Sequence, residues 1–259
     1  PYDLLSIFTA MMKAGLDKRT RDNVGIFLAN YMKENIQRHY QFVEYRELDS
    51  AYTKSQLNSL NEIGFVYLDN VFADDEIDRI HDYLSVFPVK YNNSESAIGD
   101  ARLDTCPVDR IPSGVNFGDY QQDVISRCPW FYKIAHDENL IRLVEAYLGA
   151  LPTLSIFTAW WSFSSGVEPI DAQLYHHDRA DFRSVNLFVY LTDVGPNNGP
   201  HVYVKRTHEF RVLYKMIATR LGSDPIALQK FLQWMEVHRK TDRDVETIFT
   251  ESGIKRHIG

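Results

Sequence analysis

The chain has 259 residues, of which 44% are hydrophobic and 24% are charged, so it can bury a sizeable core in one large domain or two small ones. Its formal net charge of −7 argues against a nucleic-acid or anionic-membrane partner, and no run of about 20 apolar residues predicts a membrane span. The two cysteines, Cys106 and Cys128, lack metal-type spacing, and we interpret them as reduced thiols of a cytoplasmic protein.

Residues 1–52 predict an N-terminal helical segment. A helix that begins near residues 20–23 carries apolar side chains at spacings of three and four, which form one stripe. The stripe consists of Val24, Phe27, Leu28, Tyr31 and Met32. We expect this helix to pack on the main sheet of the protein, and a lid or a dimer contact is the alternative.

The next elements are predicted from caps and turn residues. A helix at residues 53–63 ends at Gly64, and a short strand at residues 65–68 follows it. Acidic residues 74–76 favour the first turn of a third helix, because negative charge is stabilised at that end of the helix dipole. Residues 88–127 carry loop signals and predict either a substrate-covering segment or disorder.

The second half of the chain alternates between helices and strands. Asp137 caps a predicted helix that ends at Gly149, and residues 153–163 predict a buried strand with Trp160 and Trp161. Those two tryptophans are expected either in the core or beside a ligand cavity. Further helices are predicted at residues 209–237, with a break near residues 222–225, and at residues 242–249.

Three polar residues that can carry chemistry are consecutive: His176, His177 and Asp178. If they are extended, His176 and Asp178 point the same way and His177 points the opposite way. One imidazole and one carboxylate on one face can hold adjacent positions of an octahedral metal. A distant histidine would complete the two-histidine, one-carboxylate set typical of non-haem Fe(II) oxygenases. Residues 185–194 follow as a predicted apolar strand, which a Gly-Pro-Asn-Asn-Gly-Pro turn ends.

This stretch resembles the phytanoyl-CoA dioxygenase family of Fe(II)/2-oxoglutarate-dependent oxygenases. In that family a His-x-Asp motif precedes an apolar strand, a Gly-Pro and a further histidine, which correspond here to His176 and Asp178, residues 188–194, Gly199-Pro200 and His208. A helix, a Gly-Phe strand and a second helix open the family's domain, as residues 57–68 and 71–77 do. The family's Pro-Gly-Ser before the later histidine is replaced by Lys205-Arg206-Thr207.

The resemblance implies a mainly β fold with flanking helices (α+β), namely a double-stranded β-helix or jelly-roll barrel of the cupin type with helices packed outside. Residues 53–259 would form this phytanoyl-CoA dioxygenase-like domain, with residues 1–52 packed on it. The implied activity is hydroxylation of a small organic substrate, in which His176 and Asp178 bind Fe(II), 2-oxoglutarate is the co-substrate, and dioxygen is consumed with release of succinate and CO2. Asp178 favours hydroxylation over halogenation, because related halogenating enzymes have a small residue in its place.

The resemblance also implies a second histidine ligand, followed by an arginine for 2-oxoglutarate, several dozen residues after the aspartate. In one interpretation this ligand is His257. In the other, which we favour, residues 254–259 begin the strand and glycine turn that precede the ligand, which then lies beyond Gly259. Both place the arginine outside the chain, so we expect the domain to be incomplete at its C-terminus.

Two other functional classes stay open. One is a non-catalytic jelly-roll protein that has lost activity, which would bind neither Fe(II) nor 2-oxoglutarate. The other is a metal-dependent hydrolase, but binuclear zinc sites need His-x-His-x-Asp, and Leu174 stands where the first histidine would be.

Overall fold

The structure is a computed structural model that describes residues 17–39, 51–69, 71–92, 103–164, 166, 168–178, 182–222, 224–237, 240, 241, 243, 245, 249 and 254–256. Its helices are α1 (Lys18–His39), α2 (Ala51–Ile63), α3 (Asp74–Ser85), α4 (Gln122–Ser126), α5 (Pro129–Ala135), α6 (Glu138–Leu148), α7 (Phe210–Leu221) and α8 (Pro225–Val237). Its strands are β1 (Val89–Asn92), β2 (Leu103–Cys106), β3 (Phe117–Asp119), β4 (Trp160–Ser162), β5 (Val202–Val204) and β6 (Ile254–Arg256). None of the helices in these ranges combines the length and the apolar content needed to cross a membrane.

Side-chain caps set the ends of several helices. At the start of α6, Asp137 accepts a hydrogen bond from the Leu140 amide at 2.8 Å, and Gly149 ends the helix at φ +82°, both as predicted. α1 begins earlier than expected because Asp17 caps it and accepts from the Thr20 amide at 3.1 Å. The hydroxyl of Thr20 donates to the same carboxylate and holds the pKa of Asp17 below its ordinary value.

Two more helical predictions are confirmed. α3 begins at the acidic residues Asp74, Asp75 and Glu76, and the Glu76 carboxylate accepts from the Ala73 amide at 3.1 Å. The predicted break near residues 222–225 separates α7 from α8. Residues 1–16 and 40–50, and most of the helix predicted at 242–249, lie outside the described residues.

The main sheet has four antiparallel strands in the order β2-β1-β3-β4. Three of them come from residues 88–127, where loop or disorder was predicted, so that prediction is wrong for the described part of this segment. β1 pairs with β2 from Val89 opposite Cys106 to Asn92 opposite Leu103. These strands are only three or four residues long, which is too short for an alternating pattern to stand out in the sequence.

The first hydrophobic core joins this sheet to helices α3, α4 and α5. Its fully buried members include Ile80, Val89, Ile125 and Cys128. Trp161 of β4 packs against it and donates from Nε1 to the Tyr120 hydroxyl at 3.0 Å. Burial of this apolar surface, at about 25 cal/mol per Å², is the main force that fixes the sheet against the helices.

A second hydrophobic core lies between the two C-terminal helices. α7 and α8 pack together there through Leu213, Ile217 and Leu228, with Val245 and Phe249. β5 pairs with β6 in antiparallel register, from Val202 opposite Arg256 to Val204 opposite Ile254. Because Val204 and Tyr175 pack against this core, it supports the part of the chain that carries the polar residues.

Three predicted strands differ from the structure. Residues 65–68 and 185–194 form no strand ladder, and the strand predicted at 153–163 is confined to Trp160–Ser162. β-Branched and aromatic residues favour an extended backbone, but a strand also needs a hydrogen-bonding neighbour, which composition does not specify. Among the described residues the four-stranded sheet is open and the second sheet has two strands.

Gly64 is the position where the fold depends most directly on glycine. Its φ is +95°, and a Cβ there would lie 2.4 Å from Nδ1 of His208. Gly64→Ala should therefore combine left-handed strain with a clash and lower the free energy of unfolding by about 2–4 kcal/mol. Gly199→Ala is the matched control, because Gly199 has φ +69° with no atom within 4 Å of the added Cβ, and should cost about 1–2 kcal/mol. Urea unfolding measures both, and equal losses would contradict the proposed clash.

Candidate functional site

A cavity of about 270 Å³ contains both predicted metal ligands. It is bounded by the polar segment at residues 175–178, by β5, and by the turn that follows α2. His176, Asp178 and Tyr203 are among its lining residues. The structure thus brings the His-x-Asp motif to a cavity wall.

An isolated backbone pair holds the start of the polar segment. The Tyr175 amide donates to the Lys240 carbonyl at 2.9 Å, and the Lys240 amide donates to the Tyr175 carbonyl at 3.0 Å. The Tyr175 side chain packs on the second core. The residue that precedes His176 is therefore anchored through both its backbone and its side chain.

The His176 ring is oriented by the chain itself. Its Nδ1 lies 2.6 Å from the Leu174 carbonyl oxygen, which can only accept, so Nδ1 carries the proton and donates. In the neutral imidazole Nε2 then has a lone pair, and this atom is 3.3 Å from Oδ1 of Asp178. Adjacent ligand atoms of an octahedral ion with bonds of about 2.1 Å are about 3 Å apart. The pair thus has nearly the spacing of two neighbouring metal ligands.

Asp178 is fixed from its other side. Nδ2 of Asn186 donates to Oδ2 of Asp178 at 2.6 Å, which leaves Oδ1 directed at His176. Sequence reasoning missed Asn186, because the His-x-Asp motif does not include it. The signal that could have found it is the alternation of residues 186, 188 and 190 along the predicted strand.

The described residues do not complete the three-ligand set that the sequence predicts. His177 and His208 line the same cavity, so His177 is not confined to the opposite side as expected. Even so, no three His, Cys, Asp or Glu side chains in the described ranges come together as a metal-binding group. His257 lies outside the described residues. Ile254–Arg256 forms the strand β6, which is compatible with both interpretations of this part of the chain.

The aromatic wall of the cavity is built on β5. The Tyr203 ring stacks on Phe65 with centroids 5.0 Å apart. Burial raises the pKa of Tyr203 to about 12, and the nearby Tyr190, Tyr67 and Asp178 add to the effect. At neutral pH this phenol therefore keeps its proton and presents a neutral surface.

Residues 184–190 form neither helix nor strand, and two of their side chains contact His201, which precedes β5. The Phe188 ring is 4.1 Å from the His201 ring, centroid to centroid, and the Tyr190 hydroxyl accepts from the His201 amide at 2.8 Å. Trp160 meets Phe188 edge to face at 6.2 Å. Neither Trp160 nor Trp161 is among the residues that line the described cavity.

Two cationic residues near the site, Arg183 and Lys240, lie in different surroundings. Arg183 donates to the carbonyls of Leu148 at 3.0 Å and Tyr147 at 2.7 Å, where it caps the C-terminal end of α6. Lys240 is only 3% exposed and lines the cavity. No arginine accompanies it among the described residues of the cavity wall. Sequence reasoning missed Lys240, because nothing in its local pattern indicates burial.

Comparison with known proteins gives no match: no protein-family model, no curated protein and no solved structure matches this chain. A functional interpretation therefore depends on the motif and on the geometry of the cavity.

The geometry predicts which histidine binds a metal ion. His176→Ala should weaken Co(II) binding by more than about 100-fold, because it removes the Nε2 that faces Asp178. His177→Ala, one residue along the same segment, is the matched comparison. It should cost less affinity although His177 also lines the cavity, because the 3.3 Å approach to Asp178 is made by His176. Anaerobic titration followed by visible absorption measures both. Equal losses in the two variants would show that this assignment of the ligand is wrong.

Proposed function

We propose that this chain is an Fe(II)- and 2-oxoglutarate-dependent dioxygenase that hydroxylates a small organic substrate and releases succinate and CO2. The observation that carries the proposal is the 3.3 Å approach of Nε2 of His176 to Oδ1 of Asp178. With Nδ1 donating to a carbonyl, Nε2 of the neutral ring is an acceptor that faces a carboxylate oxygen, and a cation between the two atoms makes their approach favourable.

The donor set supports iron as the ion. One imidazole nitrogen and one carboxylate oxygen are half of a mixed N/O set, and the two-histidine, one-carboxylate arrangement with open positions is typical of non-haem Fe(II) oxygenases. The Nδ1–H bond to the Leu174 carbonyl is the kind of outer contact that orients metal-binding histidines. The second histidine would come from outside the described residues.

We place this site in a double-stranded β-helix with helices outside it. Support comes from the antiparallel pairing of β5 with β6 and from residues 184–190, whose Phe188 and Tyr190 contact His201 beside β5. Cys106 and Cys128 are free thiols, which favours the reducing cytoplasm as the compartment.

Each residue of the site would have a separate role. His176 and Asp178 would hold the iron, which together with bound 2-oxoglutarate and dioxygen supplies the oxidising chemistry. Phe65 and the neutral Tyr203 would give the cavity an apolar wall that excludes water. Lys240 would contribute positive charge toward an anionic ligand.

Succinate release tests the function without knowledge of the substrate. The protein is reconstituted anaerobically with Fe(II) and 2-oxoglutarate and then exposed to air, with Asp178→Ala as the control. We expect slow uncoupled succinate formation by the parent protein and none by the variant. A non-catalytic barrel would bind neither Fe(II) nor 2-oxoglutarate, and a hydrolase would bind metal without consuming 2-oxoglutarate.

Lys240 provides a second test. Lys240→Met should raise the concentration of 2-oxoglutarate needed for half-maximal turnover about tenfold or more, because it removes a cation from the cavity wall. Methionine suits this site because an apolar side chain is tolerated where a residue is 3% exposed. Lys215→Met, on the exposed face of α7, is the matched control. If Lys240→Met needs the same 2-oxoglutarate concentration as the parent, another residue binds the carboxylate of the co-substrate.

A further inference from the structure

The contact between Asn186 and Asp178 joins two separate segments of the site. Asn186 lies eight residues after Asp178, within the run 184–190 that forms neither helix nor strand. Phe188 and Tyr190, at alternate positions of that run, contact His201 beside β5. These contacts hold the backbone that carries Asn186. A carboxylate only accepts, so the amide nitrogen of Asn186 must be the atom that faces it.

This hydrogen bond acts on a carboxylate that is about half accessible to solvent. The Asp178 side chain is 48% exposed, so burial alone does not select one rotamer. The amide of Asn186 occupies Oδ2 at 2.6 Å, and Oδ1 is left facing Nε2 of His176. Carboxylates bind metal ions through one oxygen or through both. The hydrogen bond from Asn186 favours binding through one oxygen.

We infer that Asn186 is a positioning residue that holds Asp178 through Oδ2, so that Oδ1 alone is presented to a divalent ion beside His176. The inference rests on the proposed function. The number of oxygens that Asp178 contributes decides how many positions of the ion stay open. An octahedral ion has six positions. Three protein ligands and a chelating co-substrate occupy five of them if Asp178 contributes one oxygen. They occupy all six if it contributes both, and no position is then left for dioxygen.

The test is anaerobic Co(II) titration of the whole chain and of Asn186→Leu, which keeps the volume but removes the amide. We expect Asn186→Leu to weaken Co(II) binding about tenfold or more, as loss of an outer contact to a ligand does. Asn197→Ala, in the exposed turn at residues 195–198, is the control and should bind as the parent does. Asn186→Ala serves in place of Asn186→Leu if the latter does not fold.

A second readout separates positioning from a structural role. The parent and the variant are loaded with Fe(II) without oxygen and titrated with 2-oxoglutarate, whose chelation gives a visible charge-transfer band. We expect a weaker band or a higher half-saturation in Asn186→Leu, with an unchanged melting temperature of the metal-free protein. If both readouts equal those of the parent, or if the melting temperature falls while metal and co-substrate binding are unchanged, the inference is overturned and the proposed function stands. If the parent itself binds no divalent metal, the proposed function fails and the inference with it.

Discussion

The candidate site depends on one contact: Nε2 of His176 and Oδ1 of Asp178 face each other at 3.3 Å. The other polar atom of each side chain makes a hydrogen bond within the site. Nδ1 of His176 donates to the Leu174 carbonyl, and Nδ2 of Asn186 donates to Oδ2 of Asp178. An imidazole nitrogen and a carboxylate oxygen held this close attract a cation, and the attraction grows as water is excluded from the site.

The scaffold that maintains this contact is the second core, not the four-stranded sheet. Tyr175 packs on α7 and α8 while its backbone pairs with Lys240. On the opposite wall, the positive φ of Gly64 lets α2 end close against His208, whose Nε2 approaches the Asn61 carbonyl at 3.0 Å. A mutation that weakens the packing of α7 or α8 should therefore disturb the cavity more than a mutation in the main sheet, because packed elements transmit strain to their neighbours.

The sequence was informative wherever the deciding interaction is local. Asp137 and Gly149 bound α6 through contacts within four residues. Alternation over three residues predicted that His176 and Asp178 lie together, as they do, although His177 also lines the cavity. It was uninformative where the partner is remote. β1 and β3 exist because distant segments pair with them, and Lys240 reaches the cavity through a bridge to Tyr175. Neither pairing leaves a periodic trace in the sequence.

In the proposed function, the charges of the cavity wall would link metal binding to co-substrate binding. Asp178 and Lys240 contribute opposite charges to this wall, and Tyr203 keeps its proton at neutral pH. A divalent ion at His176 and Asp178 would add two positive charges in a partly buried space, where electrostatic attraction is stronger than in bulk water. 2-Oxoglutarate, a dianion at neutral pH, would offset them. The proposal therefore implies an ordered sequence, in which the metal binds first and its field attracts the dianionic co-substrate.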